Sequence, residues 1–185
     1  MAREYCDHAA GYCRRDSDGR HKCKQVGSSG FLDPASHAPR FVYDDGGRAE
    51  AGYHGETSDC VVRAIAIATE RSYQEVYDAI NDAAQGERCR GRRRGRKSSA
   101  RLGVYKETYR RYLESLGWQF VPTMGIGTGC RVHLRTDELP GGRIIASLSK
   151  HLVAVIDGTV HDTSDPSRGG TRCVYGYFSK EADNA

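Results

Sequence analysis

The fold is decided by the stretch His151-Leu152-Val153-Ala154-Val155-Ile156-Asp157-Gly158-Thr159-Val160-His161-Asp162-Thr163. Its first six residues form the most apolar strand of the chain, and Asp157-Gly158 is a strong signal for a two-residue hairpin turn. With this turn, Val153 lies opposite Asp162. Opposed residues share one face of a sheet, so Asp162 lies on the face of His151 and diagonal to it. The register therefore predicts a hydrogen bond between the His151 ring and the Asp162 carboxylate.

A second carboxylate follows three residues further along the chain. In the same register Asp165 falls opposite Lys150 and points away from His151. Pro166 can force a bend at Asp165, and a bulge just before it would reverse which carboxylate reaches the histidine. Asp162 is therefore the predicted partner of the histidine, and Asp165 is the alternative.

The region before the hairpin has the period of helices. Apolar residues at spacings of three and four begin at Cys60, with Ser58 or Asp59 as the predicted cap of this first helix. A capping box at 72–75 opens a second helix, and a third is predicted at about 104–116. Strand patterns cover 41–43, 118–121, 143–148, 151–156, 159–163 and 172–178. Helices followed by an antiparallel sheet predict the α+β class.

Composition limits the class of protein further. The chain has 185 residues, of which 38% are hydrophobic and 22 are glycine, so it has room for one globular domain and a small appendage. Its apolar stretches are far shorter than the ~18 residues that a membrane span needs. The N-terminus lacks the apolar core of a signal peptide. We expect a soluble cytoplasmic protein that does not contact a membrane.

The cysteines are expected to be reduced thiols. Seven is an odd number, so the chain cannot form a complete intramolecular set of disulfides, and it carries no export signal. Cys89, Cys130 and Cys173 have no matched partners in the sequence. We therefore predict that these three are structural thiols.

Cys60 is the candidate nucleophile. It lies at the predicted N-terminus of an apolar helix, where unpaired amides and the helix dipole lower the pKa of a thiol. The same amides, including that of Cys60 itself, can stabilise a developing oxyanion. His151 and Asp162 on the hairpin supply a base and a group that orients it. The three residues together predict a catalytic triad.

Two stretches carry a family resemblance, namely Thr57-Ser58-Asp59-Cys60-Val61-Val62-Arg63-Ala64 and the hairpin from Ser149 to Thr163. Over about residues 50–180, and in the chain order Cys, His, Asp, they resemble the papain-like cysteine peptidase superfamily. The segment 103–177 is also similar to proteins of bacteria and their phages. The resemblance implies a papain-like fold, with N-terminal helices carrying the cysteine before an antiparallel sheet carrying His and Asp. It also implies a thiol protease, a hydrolase of peptide or isopeptide bonds in a peptide or protein substrate, with no cofactor for catalysis.

The chain departs from the superfamily at one position. Members usually have a glutamine several residues before the cysteine, where it completes the oxyanion hole. The closest glutamines here are Gln25 and Gln74, and His54 occupies that neighbourhood instead. The second oxyanion donor is therefore open between His54 and the Thr57 hydroxyl.

The N-terminal residues 1–40 are predicted to form an extension ahead of a catalytic domain at 41–185. The extension has too few apolar side chains for a core of its own, unless a metal supplies the missing stability. Five soft or borderline ligands lie close together there and suit a tetrahedral zinc ion. The predicted ligands of one structural zinc are Cys6, Cys13, His21 and Cys23.

A basic insertion loop at 86–101 carries a concentrated positive charge. Seven arginines and one lysine lie between Arg88 and Arg101 with no acidic residue among them. Such a loop can bind phosphates or an acidic partner, but no aromatic residue is present to stack on bases. The predicted nucleic-acid contacts are Arg90, Arg92, Arg93, Arg94, Arg96 and Lys97. The alternative function is therefore a non-enzymatic module that binds nucleic acid or protein through this loop and a zinc-stapled N-terminus.

Overall fold

The structure is a computed structural model that describes residues 38–87 and 97–180, together with the backbone of two short strands near the N-terminus. The chain divides into two compact units, Met1–Asp33 and Pro34–Ala185. In the first unit, β1 (Cys13–Arg15) pairs antiparallel with β2 (His21–Cys23), with Cys13 opposite Cys23. Within the described residues no helix has the length and apolar character that crossing a membrane requires.

The second unit has three helices and a six-stranded mixed sheet, which confirms the predicted α+β class. The helices are α1 (Cys60–Thr69), α2 (Tyr73–Gln85) and α3 (Lys106–Ser115). The strands are β3 (Arg40–Tyr43), β4 (Gln119–Pro122), β5 (Arg143–Leu148), β6 (His151–Ile156), β7 (Thr159–Asp162) and β8 (Gly176–Ser179). Their order across the sheet is β3-β7-β6-β5-β8-β4, and every neighbouring pair is antiparallel except β3 with β7.

The hairpin of β6 and β7 has the predicted turn. Asp157 and Gly158 both have positive φ, 47° and 75°, which is the backbone of a type I′ turn and matches the twist of the paired strands. Ile156 pairs with Thr159, as the two-residue turn requires. The turn also packs closely on a neighbouring loop, because a Cβ added to Gly158 would lie 2.6 Å from the Thr136 methyl carbon.

The sheet is buried on both faces. Its helical side packs against a core whose fully buried members include Val62, Ile65, Ile80, Leu113, Ile145 and Phe178. The other side is covered by residues from the loops at about 132–139 and 171–174, and its core contains Leu134, Ile144, Val153, Val155, Val160 and Val174. Double burial explains why β5 and β6 are apolar at consecutive positions instead of alternating ones.

The helix starts agree with the sequence only in part. The predicted capping box at α2 is present, since the Ser72 hydroxyl accepts a hydrogen bond from the Glu75 amide at 3.2 Å. At α1 the N-cap position is Asp59, one of the two predicted residues, but its side chain makes no capping bond because Arg63, Tyr73 and Arg48 hold it. Helix α3 starts later than predicted. The Ser98 hydroxyl accepts a hydrogen bond from the Tyr105 amide at 2.8 Å, with Tyr105 still extended.

The predicted strand at 172–178 is also shorter than expected. Only Gly176–Ser179 joins the sheet, because the preceding residues pair with 132–134 instead. That pairing brings Cys130 and Cys173 together in a disulfide with a Cα–Cα distance of 5.8 Å. The prediction that both are structural thiols was therefore wrong: partners 43 residues apart become neighbours only through the tertiary fold. Cys89 lies outside the described residues.

Candidate active site

Cys60 and His151 meet where a helix start lies beside a strand start. Cys60 is the first residue of α1 and His151 is the first residue of β6, and the two elements pack against each other. The Cys60 thiol is half-buried, and the His151 ring and the backbone N–H of Leu152 lie close enough to lower its pKa. Because Cys60 is the first residue of the helix, its own amide has no intrahelical acceptor and remains free to bind an oxyanion.

The His151 ring binds the Asp162 carboxylate on its other side. The distance from His151 Nε2 to Asp162 Oδ2 is 2.5 Å, and the Asp162 side chain is 4% exposed. Since Nε2 is occupied by Asp162, Nδ1 is the ring nitrogen that remains available to the thiol. Asp165 is placed elsewhere, where its Oδ1 accepts a hydrogen bond from the Ser167 amide at 2.8 Å. The structure thus brings Cys60, His151 and Asp162 together in series, and Asp165 is not part of this cluster.

The pKa values of the three groups are coupled. Burial alone would raise the pKa of the Cys60 thiol, but the hydrogen bond and charge of His151, the Leu152 N–H and the Arg63 guanidinium lower it below its ordinary value. Burial alone would lower the pKa of His151, but hydrogen bonds with Asp162 and Cys60 raise it to about 9. The pKa of Asp162 is lowered by His151, Thr163 and Arg63 against the effect of its burial. The site therefore favours a thiolate beside an imidazolium and a carboxylate.

A buried network of charges lies behind this cluster. Arg63 donates to Asp162 Oδ1 through Nη2 at 3.2 Å, and through Nη1 to Asp59 Oδ1. Asp59 is completely buried, and its other oxygen accepts from Tyr73 Oη at 2.6 Å and pairs with Arg48 Nε at 3.0 Å. Burial and the hydrogen bond to Asp59 raise the pKa of Tyr73. Two acidic and two basic side chains therefore balance one another in the interior.

This network was not predicted from the sequence. The pattern indicates a helix cap at Asp59 and no role for Arg63 beyond the family resemblance. One signal was present, because the two residues are four apart on one helix, at the spacing of an ion pair. An arginine within an otherwise apolar stretch is a second signal, since a buried guanidinium needs a carboxylate partner.

The two suggested oxyanion donors differ in their surroundings. The Thr57 hydroxyl donates to the Arg101 carbonyl at 2.9 Å, and the same carbonyl accepts from the Ser58 amide. The Thr57 proton is therefore already used in holding the segment that leads into α1. The His54 side chain is exposed.

The remaining predicted sites fall largely outside the described residues. Cys6 is not described, and Cys13, His21 and Cys23 are described by their backbone alone. Arg90, Arg92, Arg93, Arg94 and Arg96 also lie outside the described ranges. Lys97 is described, and its ammonium donates to the Gln85 carbonyl at the end of α2 at 2.8 Å. In the part of the chain that is described, no group of three or more His, Cys, Asp or Glu side chains could hold a metal ion.

The cluster of Cys60, His151 and Asp162 has the chemistry of an activated nucleophile. A thiolate can attack an electrophilic carbon, and an imidazolium that a carboxylate orients can return a proton to a leaving group. The amide of Cys60 lies where a helix N-terminus stabilises negative charge. Neither protein-family models, nor curated proteins, nor solved structures gave a match to this chain.

Proposed function

We propose that this protein is a thiol-dependent hydrolase of the papain-like type that cleaves a peptide or isopeptide bond. The observation that carries the proposal is the His151 ring, which binds the Asp162 carboxylate through Nε2 at 2.5 Å and lowers the pKa of the Cys60 thiol. A lowered pKa at the thiol and a raised pKa at the imidazole are what a nucleophile and its acid–base partner require.

Each residue of the cluster has one role in the proposed reaction. The Cys60 thiolate attacks the carbonyl carbon, and the negative charge that develops on the carbonyl oxygen is stabilised by the Cys60 amide. The tetrahedral species collapses to a thioester as the C–N bond breaks and the His151 imidazolium gives its proton to the departing amine. His151, now neutral, removes a proton from water, which attacks the thioester and releases a carboxylic acid and the thiol. Asp162 holds the ring in one tautomer throughout.

The arrangement of elements supports the papain-like assignment. The nucleophile begins a helix that packs on the sheet, whereas the histidine and the carboxylate come from adjacent antiparallel strands later in the chain. The order Cys, His, Asp agrees with that superfamily. The short distance from His151 Nε2 to Asp162 Oδ2 leaves Nδ1 for the thiol, so each ring nitrogen has one task.

Selective alkylation tests the nucleophile without knowledge of the substrate. The full chain is treated with limiting iodoacetamide across a pH series, and the modified cysteine is identified by peptide mapping. We expect Cys60 to react first at pH values well below the ordinary thiol pKa of ~8.5, and the variant His151→Asn to lose this advantage. Equal reactivity of Cys60 in the folded chain and in the same chain in denaturant would contradict the proposal.

A library of fluorogenic peptides and isopeptides then tests the reaction itself. We expect release of the amine in the wild type and none in Cys60→Ala. The acyl group should be found as a thioester on Cys60, and hydroxylamine should release it as a hydroxamate and restore the free thiol. The matched control is Asp165→Asn, which removes a nearby carboxylate that does not contact the histidine. Turnover that survives Cys60→Ala would assign the reaction to another group.

A further inference from the structure

Arg63 joins two buried carboxylates that lie on different elements. Its side chain is 10% exposed, and its guanidinium donates to Asp59 at the start of α1 and to Asp162 at the end of β7. We propose that Arg63, itself fixed by Asp59, is a positioning residue of the active site that holds the Asp162 carboxylate in the orientation facing His151. This inference rests on the proposed function, and it adds residues that act through Asp162 without touching a substrate.

The two oxygens of Asp162 have separate partners. Oδ1 accepts from Arg63 Nη2 at 3.2 Å and from the Thr163 amide at 2.7 Å, whereas Oδ2 faces His151 at 2.5 Å. The donors on Oδ1 fix the rotation of the carboxylate group about its bond to the side chain. Without them the carboxylate could turn away from the ring, and the ring would lose the acceptor that fixes its tautomer.

Asp59 is held at three points and therefore fixes Arg63 firmly. Arg63 binds one of its oxygens, while Tyr73 and Arg48 bind the other. Arg48 also donates to the Gly55 carbonyl at 2.6 Å in the segment that leads to the nucleophile. Because Asp59 directly precedes Cys60 in the chain, one buried carboxylate anchors both the peptide that carries the thiol and the arginine that reaches Asp162.

The arrangement carries an energetic cost that packing alone does not explain. The Arg63 Nε–H is buried and has no hydrogen-bond partner among the described residues. An orphaned buried donor costs on the order of 1–3 kcal/mol. Buried ion pairs can often be replaced by apolar residues of similar volume without loss of stability, so they are weak evidence of a structural role. A guanidinium kept at this cost, with both ends on carboxylates next to the catalytic cluster, fits a role in orientation.

The sign of one pKa change separates positioning from a simple charge effect. Removal of a nearby cation would by itself raise the pKa of His151, because one repulsive positive charge is gone. Loss of the Asp162 orientation would lower it, because the imidazolium loses its hydrogen-bonded carboxylate. The titratable groups in direct contact with His151 are Cys60 and Asp162. All variants therefore carry Cys60→Ala, which removes the effect of the thiol on the His151 pKa.

The experiment measures the His151 pKa by NMR titration of the full chain carrying Cys60→Ala, alone and with Arg63→Met or Arg63→Lys. We expect both substitutions to lower it by about one unit, a tenfold weaker proton affinity, because neither side chain can bridge two carboxylates with a planar fork. Arg143→Met is the matched control, since it removes an arginine that pairs with Glu70 and contacts neither Asp59 nor Asp162. It should leave the His151 pKa unchanged.

A His151 pKa that stays constant or rises in Arg63→Lys overturns the positioning role. This variant keeps the charge, so it decides the question even where Arg63→Met does not fold. The proposed hydrolase function is judged separately by turnover of chains that retain Cys60. A lowered His151 pKa without any hydrolysis in the wild type would leave the positioning role intact and remove the proposed function.

Discussion

Replacement of Asp162 by Asn tests the candidate site most directly. The change keeps the size of the side chain and removes its negative charge. The pKa of His151 is about 9, against 6.5 for an ordinary histidine. A difference of this size corresponds to about 3 kcal/mol in favour of the imidazolium, shared between Asp162 and Cys60. We therefore expect Asp162→Asn to lower the His151 pKa by about 1–2 units.

The tautomer of His151 changes as well. In the wild type the ring donates from Nε2 to Asp162, so Nδ1 is the nitrogen that takes the proton of the Cys60 thiol. With Asn, the amide oxygen faces the Arg63 guanidinium and the amide NH₂ faces Nε2, so the proton of the neutral ring moves to Nδ1. The ring then cannot accept the thiol proton. We expect turnover to fall by a factor on the order of 10²–10⁴, with little change in KM.

The free energy of unfolding should also depend on pH through His151. A raised pKa of His151 in the folded state means stabilisation that is fully present below pH 6.5 and is lost as the pH rises through about 9. The difference in free energy of unfolding between wild type and Asp162→Asn should therefore be larger at pH 6 than at pH 10. Urea unfolding at the two pH values measures it.

Asp165→Asn is the control for the His151 pKa, the turnover and the pH dependence of stability. Asp165 accepts a hydrogen bond from the Ser167 amide and does not contact His151, so its loss should cost less than about tenfold in turnover, or ~1.4 kcal/mol of barrier. If NMR titration finds the His151 pKa still near 9 in Asp162→Asn, the carboxylate is not its partner. The same holds if Asp165→Asn is the inactive variant.

Two predictions concern stability alone. Gly158→Ala and Gly127→Ala place a Cβ at nearly equal positive φ, 75° and 76°, but only the first meets a neighbour, the Thr136 methyl carbon at 2.6 Å. In thermal unfolding, Gly127→Ala should lower the free energy of unfolding by about 1–2 kcal/mol, and Gly158→Ala by about 1–3 kcal/mol more. Equal losses in the two variants would disprove the close contact. Ser72→Ala should cost about 1 kcal/mol in urea unfolding because the Glu75 amide loses its acceptor, whereas Ser72→Asp should stay close to wild type.

The parts of the fold that local sequence encodes were predicted well. Strands β5 and β6 have the predicted bounds, the turn at 157–158 has the predicted length, and the cap of α2 is Ser72. In each case the signal lies within a few residues of the feature that it specifies. The register of β6 and β7 then follows by counting from the turn, so the position of Asp162 beside His151 is encoded within twelve consecutive residues, 151–162.

Features that depend on distant segments were not predicted. The parallel pairing of β3 with β7 joins Phe41 to Val160, and no short-range pattern specifies it. The Arg63–Asp162 contact joins residues that are 99 apart in sequence. The type and position of Asp59 predict a side-chain cap of α1, but Arg63, Tyr73 and Arg48 donate to its carboxylate in the interior instead. Local propensity decides such a side chain only when no long-range partner is present.

The disulfide between Cys130 and Cys173 makes a covalent ring within the linear chain. Its ends are 43 residues apart, and it contains β5, β6 and β7 but not α1. When the chain is pulled from its ends, the force passes through the sulfur bridge and bypasses the ring. About 150 Å of contour length stays hidden until a reductant opens it. Such a pull can separate the helix that carries Cys60 from His151. His151 and Asp162 remain together on one unstretched loop.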